Sequence, residues 1–124
     1  MDFFLDTASL QEIRKWLEYG VLDGVTTNPS IMLKDGGYDM EARAREIALL
    51  LGDRPVSVEV TSNDHAEMLQ QARRFVTWAP NIVVKIPVIN EEGTPSLDVV
   101  KTLSSEGIKV NCTAILSYGQ VVMA

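Results

Sequence analysis

Two hydrophobic periods alternate along the chain. Short runs with apolar residues at every second position read as buried strands, and longer segments with apolar residues three and four apart read as amphipathic helices. The first strand-like run extends from Asp2 to Asp6. Ser9 and Glu12 then have the spacing of a capping box, and Leu10, Ile13, Trp16 and Leu17 share one helical face that ends at Gly20. A second strand is expected from Gly24 to Thr27, and Asn28-Pro29-Ser30 breaks it because proline fixes its own φ and holds the preceding residue extended. Ile31, Met40, Ala44, Ile47 and Leu51 carry the next helix, interrupted by a turn at Gly36-Gly37 and closed by Gly52. The third strand runs from Val56 to Val60, followed by Ser62 as a cap and the stripe Met68, Ala72, Phe75, Ala79. A fourth, rich in β-branched residues, spans Asn81 to Val88. Thr94 then reads as a cap, Pro95 as the first helical residue and Leu97, Val100 and Leu103 as the buried side, before Gly107 and a fifth strand from Ile108 to Cys112.

Regular alternation with short links predicts an α/β fold: a parallel sheet covered by helices, built from (β/α) units like those of a TIM-type barrel. Ser117 and Gln120 have the spacing of another capping box, with Val121, Val122 and Met123 starting an apolar face. A closed (β/α)8 barrel takes roughly 200 residues or more, so residues 1–124 are expected to form a single domain holding five of eight units, an incomplete barrel. Its first and fifth strands would be open edges, and open edges favour a homo-oligomer.

Composition narrows the function classes. At 46% hydrophobic and 23% charged, the chain has the balance of an ordinary globular domain. A net charge of −6 argues against a nucleic-acid partner, while leaving room for an anionic substrate at one or two local cations. No apolar stretch reaches the length of a membrane span, and no signal-peptide pattern follows Met1, so a cytoplasmic protein is expected. Cys112 is the one cysteine, which rules out an intrachain disulfide, and one histidine, His65, makes a metal site improbable. His65 reads as a solvated first-turn residue and Cys112 as a packed small hydrophobe.

Strand alternation also sorts the polar residues. Val56, Val58 and Val60 share a face, with Ser57 and Glu59 opposite; Ile82, Val84 and Ile86 share a face, with Val83, Lys85 and Pro87 opposite. In the fifth strand Lys109, Asn111 and Thr113 oppose Ile108, Val110 and Cys112. Asp6, Asn28, Glu59, Lys85 and Thr113 fall late in five successive strands, at the rim where parallel α/β folds build their chemistry. A lysine flanked by Val83, Val84, Ile86 and Pro87 is expected to be desolvated, which favours a neutral amine able to attack a ketone. Carboxylates such as Asp6 and Glu59, aided by the Thr113 hydroxyl, would move the protons that imine formation and hydrolysis require. Each also has a plainer reading: Asp6 as a cap, Asn28 as a turn former, Lys85 as half of an ion pair with Glu59 or Asp6.

Three segments resemble signatures of the transaldolases and the related fructose-6-phosphate aldolases: Phe4-Leu5-Asp6-Thr7-Ala8, Gly24-Val25-Thr26-Thr27-Asn28-Pro29-Ser30 and Val83-Val84-Lys85-Ile86-Pro87. The resemblance implies a class I enzyme with no cofactor and no metal, and Lys85 as the Schiff-base lysine. It gives Asp6 an acid/base role, Glu59 and Thr113 a hold on the catalytic water, and Asn28, with Thr26 and Ser30 of the same motif, a role in substrate binding. The transaldolase branch carries glutamate at position 59 where the aldolase branch tends to carry glutamine. That implies transfer of a dihydroxyacetone unit between sugar phosphates in the pentose phosphate pathway, with a fructose-6-phosphate aldolase or a non-catalytic half-barrel assembly module as alternatives. The family's phosphate-binding arginine and serine follow the fifth strand.

Overall fold

A computed structural model describes residues 2–34 and 39–113. The elements run β1 (Phe4–Asp6), α1 (Leu10–Glu18), β2 (Gly24–Thr26), α2 (Pro29–Lys34), α3 (Met40–Leu51), β3 (Val56–Glu59), α4 (His65–Phe75), β4 (Ile82–Pro87), α5 (Leu97–Ser105) and β5 (Val110–Thr113). The strands form one parallel sheet in the order β1-β2-β3-β4-β5. Right-handed crossovers between sequential parallel strands put the helices on one face. This is the expected α/β architecture, compatible with part of a TIM-type barrel. Among the described residues β1 and β5 each have a strand partner on one side. The capping box expected at Ser117 lies outside the described residues.

The core is the layer between sheet and helices. Val25, Val56, Val58, Val84 and Ile86 on the sheet meet Ile13, Ile47, Leu51, Met68, Phe75 and Leu103 on the helices, all fully buried. The ring of Phe75 tilts against Trp78 at 4.7 Å between centroids, which closes the base of α4. No helix of the described residues is long and apolar enough to cross a membrane.

Local signals hold where the chain is regular and slip where loops intervene. Ser9 caps α1 by accepting from Glu12 N, as its spacing predicts, and Gly52 follows α3 at φ 62°. The segment read as one interrupted helix is two, α2 and α3. Asp64, not Ser62, caps α4; Ser62 Oγ instead accepts from Asp64 N and donates to Glu67. Ala79 lies beyond the end of that helix at Phe75. α5 begins two residues later than Pro95, which pairs in an antiparallel bridge with Ile89, and its buried face is Val99 and Leu103, with Leu97 and Val100 half-buried. His65 is half-buried and not simply solvated, its Nδ1 3.0 Å from Asp98 Oδ2. Cys112 is half-buried and burial raises its thiol pKa.

Gly24 in β2 leaves no room for a side chain. A Cβ there would lie 2.6 Å from the Phe4 ring and 2.8 Å from the carbonyl oxygen of Pro55. The ring can swing away but the backbone carbonyl cannot. Gly24→Ala is therefore expected to cost about 1–3 kcal/mol in denaturant unfolding. Adding Phe4→Ala should recover only part of that loss, because the Pro55 contact remains.

Candidate functional site

Burial of the branched residues against the helices leaves the alternate residues on the opposite face. The register places them in rows. Asp6 is level with Thr26, Thr26 with Ser57 and Ser57 with Val83. One step toward the C-terminal ends, Glu59 is level with Lys85 and Lys85 with Asn111. Pro87 and Thr113 form the next row. Two residues of strand separate successive rows, about 6–7 Å.

A cavity of about 610 Å³ opens on this face at the C-terminal ends of the strands. Asn28, Ser30, Glu59, Lys85 and Thr113 all line it. Its volume lies within the roughly 300–1,000 Å³ of small-molecule sites. Asp6 and Thr26 are not among its lining residues and lie one row below, joined by a 2.8 Å hydrogen bond from Thr26 Oγ1 to Asp6 Oδ1. That bond holds the Asp6 carboxylate on the inner face. Thr26 is thereby a partner of Asp6 as well as a residue near the site.

Lys85 is half-buried, and only Val83 and Pro87 of its four apolar flanks share its face; Val84 and Ile86 point into the core. Its Nζ donates to the carbonyl oxygen of Thr27 at 3.3 Å. Thr27 is itself buried, with its hydroxyl donating to Ser57 O at 2.8 Å. Among the described residues the ion pairs are Arg45–Glu41, His65–Asp98 and Arg73–Glu106, and Lys85 is in none of them. The amine therefore sits beside Glu59 in register, tethered to a backbone oxygen rather than locked to a carboxylate.

Glu59 is the electrostatic centre of the group. Burial raises its carboxyl pKa; the Lys85 charge opposes that rise and the Asp6 charge reinforces it. A carboxyl raised above its ordinary value is a better proton donor partner than a free one at the same pH. Asn28 caps α2, its Oδ1 accepting from Ile31 N at 2.9 Å. With the carbonyl so engaged, its amide retains two N–H donors.

Several groups in or beside the cavity escaped the sequence reading. Asn111 is level with Lys85 on the same face, and alternation placed it there without giving it a role. Thr61, Ser62, Asn63, Asn90 and Glu91 come from the loops after β3 and β4. Loop residues have no period to betray them. The Thr27 carbonyl is a backbone group, which no side-chain pattern reports.

Residues 3–124 match the family described as Transaldolase/Fructose-6-phosphate aldolase. Similar proteins include one named "Probable transaldolase" from Dehalococcoides mccartyi, 45% identical over 123 residues, which cover 99% of this chain and 55% of that protein. Another of that name, from Lactiplantibacillus plantarum, is 48% identical over 124 residues, all of this chain and 54% of that protein. "Probable transaldolase 2" of Listeria monocytogenes is likewise 48% identical over the whole chain and 54% of its own length. The chain thus spans about half the length of the curated relatives it matches. With those three signatures in one parallel sheet and the match running from residue 3 to 124, the chain belongs to the transaldolase/fructose-6-phosphate aldolase family.

Proposed function

We propose that Lys85 forms an imine with a ketose phosphate and that the chain provides the first five strand–helix units of a transaldolase (β/α)8 barrel. The reaction transfers a dihydroxyacetone unit from a donor such as sedoheptulose 7-phosphate or fructose 6-phosphate to an aldose phosphate. The observation that carries this reading is the pairing of Lys85 with Glu59 across adjacent strands, at the wall of a cavity of ketose size. Family membership and the names of the relatives support it. Among the described residues β1 and β5 each pair on one side only, which would favour self-association of these strands.

The chemistry follows from these groups. The unprotonated Lys85 amine adds to the ketone carbon, and the resulting carbinolamine loses its hydroxyl as water after taking a proton from Glu59. The protonated imine then withdraws the electron pair of the neighbouring carbon–carbon bond. Asp6, steadied by Thr26, takes the proton of the hydroxyl on the far carbon, so that an aldehyde departs and an enamine stays on Lys85. Attack of that enamine on an acceptor aldehyde forms the new bond, and a water positioned by Glu59 and Thr113 hydrolyses the product imine. Asn28 and Asn111 donate to sugar hydroxyls, and Ser30 lies at the cavity wall for the same purpose.

Borohydride reduction in the presence of fructose 6-phosphate tests the first step. Intact mass should show one ketose-phosphate adduct on the unmodified chain and none on Lys85→Ala. Absence of the adduct from a chain shown to be folded would move the non-catalytic half-barrel to first place. Product analysis separates the two chemistries: dependence on an acceptor aldose phosphate marks the transferase, and release of free dihydroxyacetone the aldolase.

Glu59 gives a second, independent prediction. Its folded-state pKa is raised, so the folded chain binds this proton more tightly than the unfolded chain. The linked stability is complete below the ordinary value of 4.5 and is lost as pH rises through the raised value. Glu59→Gln removes that loss. Its melting temperature minus that of the unmodified chain should increase from acidic to neutral pH, and a difference that stays constant or decreases contradicts the assignment.

A further inference from the structure

The loop after β4 is held by side chains that the reaction itself does not use. Between Val88 and Ser96 the chain leaves the sheet and returns, with Asn90 N donating to Thr94 O at 3.0 Å and Ser96 N to Val88 O at 2.9 Å. Asn90 is only 8% exposed, although it lies in a loop. Its Oδ1 accepts from Glu92 N at 3.0 Å and Thr94 N at 2.8 Å, while its Nδ2 donates across to Asn63 O, in the loop after β3, at 3.1 Å. Asn63 answers in the other direction: its Oδ1 accepts from Glu91 N at 3.3 Å and its Nδ2 donates to Glu91 Oε2 at 3.0 Å. Two carboxamides thus join two loops that begin at the ends of the Glu59 and Lys85 strands. A carboxamide both accepts and donates from one planar group, as these bonds require.

The clasp stands at the Lys85 cavity, whose lining includes Asn63, Ile89, Asn90 and Glu91. It fixes a wall that also carries the Glu91 carboxylate, an anion that disfavours a second negative charge nearby. We propose that Asn90 and Asn63 are positioning residues that set this wall so that an extended, phosphorylated ketose enters in one orientation toward Lys85. A ketone too short to reach the wall would gain nothing from it. This inference rests on the imine reading for its kinetic test, and the two can fail separately.

The test compares borohydride trapping of fructose 6-phosphate with trapping of dihydroxyacetone in the unmodified chain, Asn90→Asp and Asn63→Ala. Asn90→Asp keeps the acceptor oxygen and removes the donor to Asn63 O; Asn63→Ala alters an exposed residue and frees Glu91, which covers the case in which the buried change prevents folding. The ratio of fructose 6-phosphate to dihydroxyacetone adduct should fall about tenfold in each folded variant, the size of effect that a small misplacement of a bound substrate produces. An unchanged ratio, whether both adducts persist or both fall together, overturns the proposal. If the unmodified chain traps neither ketone, the imine reading fails and the clasp is judged by fructose 6-phosphate titration followed by NMR. Shifts at the Ile89 to Glu91 amides that vanish in Asn63→Ala support it, and no shifts there overturn it.

Discussion

The branched side chains that the sheet buries against its helices govern the position of every reactive group. Val56, Val58, Val84 and Ile86 are each fully buried, and the residues between them have only the opposite face available. Hydrophobic burial is non-directional, but the two-residue period of a strand converts it into orientation. A slip of β4 by one residue against β3 would send Lys85 toward the helices and turn Val84 and Ile86 out of the core. The core therefore enforces the register, and the register brings amine and carboxyl side by side.

On that inner face, the electrostatics arise from a small number of charges close together. Glu59 lies between a cation and an anion, Lys85 and Asp6, and is partly shielded from water. Burial is the largest influence on it, so its carboxyl pKa lies above the ordinary value even though a lysine stands level with it. Asp6 has a hydroxyl partner in Thr26 and lies one row lower. The two carboxyls thus stand in different surroundings, Glu59 partly buried beside Lys85 and Asp6 hydrogen-bonded to Thr26.

The sheet supplies reactive groups, whereas the loops supply a wall. Strand residues are fixed by ladder hydrogen bonds and by core packing, so they hold the amine and carboxyls. Residues 88–96 have only a short bridge of their own, Ile89 with Pro95, and are further held by the Asn63 and Asn90 carboxamides. The buried Asn90 carboxamide costs little here because both its oxygen and its nitrogen are hydrogen-bonded.

Periodicity is a property of each segment alone, which is why so much of this molecule was legible before folding. The five strands, the residues that face inward along them and the Ser9 cap all follow from local pattern and residue type. Caps near loops were not legible: Ser62 and Asp64 both have suitable side chains, and the path of the loop decides that Asp64 takes the helix. The same holds for the start of α5, where Pro95 is drawn into a bridge with Ile89. The sequence by itself determined which groups could meet on the inner face. Only the tertiary structure decided that Lys85 meets the Thr27 carbonyl, 58 residues away, that Asp6 drops one row to Thr26, and that Asn63 and Asn90 clasp across 27 residues. Those contacts depend on the relative placement of segments, and no period within any one segment encodes that placement.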